Sequence, residues 1–117
     1  MPEQPLIDPN QQKILSLAAE TQYVANGIVS RQILKTAGGR VVLFGFAAGQ
    51  ELTEHTSPHH ALIQILSGEC EFSLAGQPHP MKAGELLYMP PQLPHAVKAT
   101  TPFSMLLTLL QTAPVPG

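Results

Sequence analysis

Charge is scarce in this sequence: 12% of its 117 residues are Asp, Glu, Lys or Arg, about half of the ~25% usual in soluble domains. A chain with so little polar surface is expected to bury part of its exterior against another subunit, and a homodimer is the expectation. Basic residues number only six, scattered along a chain of net charge −2. That leaves no positive patch of the kind a phosphate backbone requires, and no nucleic-acid partner is expected. Long hydrophobic runs are missing as well. Residues 41–48 and 105–110 are the longest and fall far short of the ~20 residues that span a bilayer, so no membrane partner is expected. Cys70 is the sole cysteine, so an internal disulfide is excluded. The opening Met1-Pro2-Glu3-Gln4-Pro5 has neither the basic start nor the apolar centre of a secretion signal. A cytoplasmic location is the expectation.

Proline and glycine, by contrast, are plentiful, at 12 and 9, in a chain that is 44% hydrophobic. Their even spread reads as many turns between short elements, which points to an all-β fold, and the length suits one domain. Residues 1–22 are expected to form an arm, extended at first, with a short helix in 10–20. There Ile14, Leu15, Leu17 and Ala18 follow an Asn10 cap at helical spacing. Strands are expected at 28–34, 40–47, 61–66, 69–74, 79–82, 86–89, 95–98 and 103–110, eight or nine in all, within a barrel spanning 23–112 and followed by a tail at 113–117. Cys70, Phe72 and Leu74 alternate onto a core face, where a thiol behaves as a small hydrophobe. The 105–110 run is apolar on both faces, so both should be covered, by the N-terminal segment or by a partner.

Two clusters carry the chemistry. The first runs from Gly49 through His55-Thr56-Ser57 and Pro58-His59-His60-Ala61 to Gly68. The second runs from Gly84-Glu85 to Pro90-Pro91-Gln92-Leu93-Pro94-His95. Their spacing resembles the two motifs of the cupins, Gly-x5-His-x-His-x3–4-Glu-x6-Gly and Gly-Asp-x4-Pro-x-Gly-x-x-His, with Glu85 in place of Asp and Gln92 in place of Gly. The resemblance covers residues 49–95 and implies an antiparallel double-stranded β-helix, the jelly-roll barrel. It further implies a divalent metal (iron, manganese, nickel or zinc) held by two histidines, a glutamate and a final histidine. Position by position, His55 and His95 match the first and last ligands, while Ser57 and Ala61 stand where the second histidine and the glutamate belong.

Two imidazoles alone make a weak metal site, since catalytic zinc sites keep three protein ligands. His59 is the candidate replacement, because 55, 57, 59 and 61 share a face if the strand runs straight, although Pro58 can bend it. The expected metal set is therefore His55, His59 and His95, and the expected pocket wall is Ser57, Ala61, Ile63, Phe46 and Tyr88. A metal-free reading stands beside it: His55 and His95 as polar residues hydrogen-bonded inside the barrel, with His59, His60 and His79 on the surface. Glu51 and Glu54 are either an acid/base pair or ordinary solvated charges.

Three functions remain open from the sequence. One is a metal-dependent oxygenase, isomerase or lyase acting on a small molecule. Another is a non-catalytic small-molecule-binding or sensor barrel, which the small Ser57 and Ala61 would suit by opening volume. The third is an inactive structural subunit. The sequence does not decide whether the chain is an enzyme.

Overall fold

The computed structural model describes residues 4–112, so the expected tail lies outside the described residues. Nine strands alternate with tight turns: β1 (Ile28–Thr36), β2 (Gly39–Phe46), β3 (Glu51–His55), β4 (His60–Ser67), β5 (Glu69–Leu74), β6 (Gln77–Lys82), β7 (Leu86–Met89), β8 (His95–Ala99) and β9 (Phe103–Leu110). They form two antiparallel sheets, one ordered β1-β2-β9-β4-β7 and the other β3-β8-β5-β6. This is the jelly-roll architecture expected from the sequence. No helix among the described residues is long and apolar enough to cross a membrane.

The core lies between the sheets and follows from strand alternation. Ala61, Ile63 and Ile65 point inward from β4, Cys70 and Phe72 from β5, Val97 and Ala99 from β8, and Phe103 and Met105 from β9; all are buried. Phe46 and Phe103 stack with centroids 4.5 Å apart. Phe46, Phe72 and Phe103 are each fully buried, and such burial contributes roughly 1.5–3 kcal/mol per side chain. The turn between β4 and β5 requires glycine: Gly68 has φ +76°, and a Cβ there would collide with the Pro102 carbonyl.

The expected helix over 10–20 shrinks to one turn, α1 (Leu17–Glu20), capped by Ser16 Oγ, which accepts from the Ala19 N–H at 3.2 Å. Ile14, the first apolar residue of the expected pattern, is 99% exposed. With Ile14 unpacked and Leu15 and Leu17 only half-buried, so short a pattern does not hold a longer helix. The stretch ahead of it docks on β1 instead, where the Leu6 and Ile7 N–H groups donate to the Gln32 and Ile33 carbonyls. These contacts lie at a register irregularity between Gln32 and Leu34. After α1 the chain lies on the outer face of the larger sheet. The Gln22 carbonyl sits where a Cβ on Gly45 would be, Glu20 pairs with Arg31 at 2.7 Å, and the Tyr23 hydroxyl reaches Ser67. The N-terminal segment thus covers part of the larger sheet's outer face, at Arg31, Gly45 and Ser67.

Candidate functional site

β3 and β8 are neighbours in the smaller sheet, in the register Glu51↔Lys98, Leu52↔Val97 and His55↔His95. Three steps on β3 match two on β8, so β3 carries one extra residue, a β-bulge. Simple alternation from the inward Leu52 would turn Glu54 inward and His55 outward. The bulge reverses that parity and sets His55 directly opposite His95, their ring centroids 4.2 Å apart and planes tilted by 59°.

Both rings are held in the same way. His55 Nδ1 lies 2.8 Å from the Thr53 carbonyl oxygen, and His95 Nδ1 lies 2.8 Å from that of Leu93. A carbonyl oxygen only accepts, so each Nδ1 carries the hydrogen and donates it, leaving Nε2 of the neutral ring with a free lone pair. Among the described residues no buried side-chain nitrogen or oxygen lacks a partner, so the His95 Nε2 is open to solvent or ligand. The proline-rich loop after β7 carries His95 into place. It is fastened to the first motif by the Gln92 N–H, which donates to the Ser57 carbonyl at 2.7 Å, and the Pro94 carbonyl accepts from the Ala75 N–H at 2.8 Å.

The pair stands in the wall of a cavity of about 410 Å³ inside the barrel. Leu52, Ala61, Ile63, Phe72, Met89 and Val97 supply much of its apolar lining, and Ser57, His59 and Arg40 add polar groups. Ser57, Ala61 and Ile63, expected in the pocket wall, line this cavity. The Ser57 Oγ also accepts from the His59 N–H at 3.2 Å, which holds the loop between β3 and β4. The 55–61 segment does not run as one strand; it breaks at residues 56–59, and His59 reaches the cavity from this loop.

Two expected pocket residues are elsewhere. Phe46 lies deeper, stacked in the core on Phe103, and Phe44, two residues earlier on the same face, lines the cavity. Tyr88 is opposite Leu62 in the β4–β7 ladder and so faces outward; it is 51% exposed, and its hydroxyl lies 2.7 Å from His60 Nδ1. His60 accordingly belongs to the outer surface, and His79 is exposed. Glu51 and Glu54 are exposed and do not line the cavity. The sequence reading missed Leu52, Val97 and, most consequentially, Arg40. Its signal was parity: Arg40, Val42 and Phe44 alternate on one face of β2.

The donor set tests the implied metal. Among the described residues no group of three or more His, Cys, Asp or Glu side chains is arranged to hold a metal ion. His59 therefore does not complete the set expected with His55 and His95, and the residues present fall short of a resident metal site. Cys70 offers no substitute: it is buried, and burial, with a smaller contribution from Glu85, pushes its thiol up to about 12.

Known proteins place this geometry in context. No protein of curated function matches the sequence. Among solved structures, the chain is similar to a conserved protein of unknown function from Streptococcus pyogenes, with 28% identity, TM-score 0.83 and coverage of 97% of this chain and 98% of that one. It is also similar to a cupin superfamily protein from Desulfitobacterium hafniense, with 25% identity, TM-score 0.81 and coverage of 87% and 94%. A conserved-barrel cupin protein from Leptotrichia buccalis shares 33% identity at TM-score 0.79, over 83% of this chain and 47% of that one. The family defined by the cupin domain matches residues 42–109, more than half of the sequence and the whole of the His55–His95 site. The chain therefore belongs to the cupin domain family.

Proposed function

We propose that the protein is a small-molecule-binding barrel. Its His55–His95 pair offers two Nε2 lone pairs to a hydrogen-bond donor on an otherwise apolar ligand. One observation carries this reading: the two rings, each fixed through Nδ1 to a backbone carbonyl, stand side by side in the wall of a largely apolar cavity, their centroids 4.2 Å apart. Preoriented polar groups on an apolar wall are the usual make-up of a small-ligand site. Ser57 and Ala61, where cupin motifs carry a histidine and a glutamate, leave space rather than charge.

The second reading, a metal-dependent oxygenase, isomerase or lyase, is favoured by one feature. Metal-binding histidines characteristically donate their other ring nitrogen to a carbonyl or carboxylate, as both do here. Among the described residues it lacks a third protein ligand.

One set of measurements separates the two. Protein purified without a histidine tag or chelator is assayed for metal content and for ligand-induced rises in melting temperature, together with His55→Ala and His95→Ala variants. The binding reading expects well under one metal per chain and a ligand shift that shrinks in both variants, because stabilisation scales with RT ln(1 + [L]/Kd). About one metal per chain, lost in both variants, would overturn it in favour of the metal reading.

A further inference from the structure

Lys35 and Arg40 stand directly opposite one another across the β1–β2 ladder. Like charges at facing positions are mutually destabilising. Among the described residues neither has a carboxylate partner, the one ion pair being Arg31–Glu20. Two unneutralised cations at facing positions contribute nothing evident to the fold, and they are the arrangement that an anion would bridge.

Their location gives the pair a use. Both line a surface cleft of about 400 Å³, together with Thr36, His59, Leu109 and Gln111. Arg40, His59 and Leu109 also line the barrel cavity that holds His55 and His95. Arg40 pairs with Leu109 in the β2–β9 ladder, which places it in the inward-facing row of its strand, at the open end. The cavity thus has an apolar body, a pair of hydrogen-bond acceptors on one wall and a cationic rim on another.

Building on the proposed function, we infer that the barrel takes an amphipathic organic acid. Its apolar body fills the cavity, a hydroxyl or amide N–H on it donates to Nε2 of His55 or His95, and its carboxylate rests between Arg40 and Lys35. Arg40 suits the role because its planar guanidinium can hold a carboxylate through two parallel hydrogen bonds, and Lys35 adds a second positive charge from the facing strand. A dicationic rim also disfavours cationic ligands, which would meet like charge there.

The test uses the full chain and two matched pairs of probes, para-hydroxyphenylacetate with its amide and ω-hydroxyoctanoate with its amide, titrated by calorimetry at low and high salt. The inference expects the acid of at least one pair to bind about tenfold or more tightly than its amide, as one charge-assisted contact supplies. It also expects Arg40→Gln and Lys35→Gln each to erase most of that preference, while Lys98→Gln, which removes the same charge on the outer face of β8, leaves it unchanged. Salt should weaken the acid and spare the amide. Equal binding of acid and amide would overturn the anionic-ligand inference and leave the binding reading standing. Binding of neither compound in both pairs would overturn both, and retained preference in Arg40→Gln would remove the rim from the account.

Discussion

Cys70 shows how one buried side chain separates packing from chemistry. Its thiol is pushed up to about 12 against an ordinary 9.0, chiefly by burial. The folded protein therefore holds this proton while the unfolded chain releases it, so the unfolded state binds fewer protons above pH 9.0. The contribution to stability is unchanging below that value and is lost as pH rises from 9.0 towards 12, at up to about 1.4 kcal/mol per pH unit. Denaturant titrations of wild type and Cys70→Ala across this window should diverge, with the wild type losing more stability as pH rises. A thiol reagent at pH 8 should label the native protein only through unfolding. Parallel slopes, or rapid labelling of native protein, would contradict the burial argument. The same residue scale shows what spacing alone can reveal. His55 and His95 were legible because motif spacing marks them whatever the strand does between. Tyr88 was misread because which face it takes depends on its register with Leu62, and register is a long-range property that local spacing does not encode.

Among elements, β5, β7 and β9 have the bounds that alternation and turn residues indicated, and β1, β2, β4, β6 and β8 differ by one or two residues at their ends. β3 was not expected at all. Glu51-Leu52-Thr53-Glu54-His55 has two charges and only one aliphatic residue, and it is ordered by pairing with β8 rather than by its own pattern. Its bulge, which decides the orientation of His55, leaves no signature in sequence. The loop between β7 and β8 is more legible, with Gln92 replacing the motif glycine. The structure holds Gln92 at φ +68°, a left-handed conformation that costs a side-chain-bearing residue about 1–2 kcal/mol. Part of that saving is offset by the greater unfolded-state freedom of glycine. Gln92→Gly is expected to stabilise the fold by about 0.5–1 kcal/mol, and the β-branched Gln92→Val to destabilise it by about 1–2 kcal/mol, both read from chemical denaturation. Because the Gln92 N–H holds the Ser57 carbonyl, Gln92→Val should also loosen the loop that carries Ser57 and His59, visible as faster hydrogen exchange there. A stabilised Gln92→Val would show that this backbone is not strained.

Across the whole molecule, the sheet edges are protected unevenly. The edge strand β6 carries Pro78 and Pro80 at alternate positions, which blocks further pairing. At the other edge of that sheet, β3 is short, bulged and bears Glu51 and Glu54. β1 is covered in part by the N-terminal arm through Leu6 and Ile7. β7 has none of these devices: it reads Leu86-Leu87-Tyr88-Met89, and Leu86 and Tyr88 are 62% and 51% exposed. On the same outer face, β4 adds Leu62, and β9 adds Leu106 and Leu110, the last 44% exposed. The N-terminal contacts at Gly45 and Ser67 lie toward the other end of β9, and Leu62 and Leu106 are half-buried. Low charge is the sequence's argument for self-association, and we propose the β7 edge as the surface that would carry it. Sedimentation at micromolar concentration is expected to give about twice the 12.5 kDa chain mass, and Leu86→Asp with Tyr88→Glu should return it to a monomer. Neither residue lines the cavity, so ligand binding should survive in the monomeric variant. A wild-type monomer would refute the dimer, and a variant that remains dimeric would move the interface away from β7.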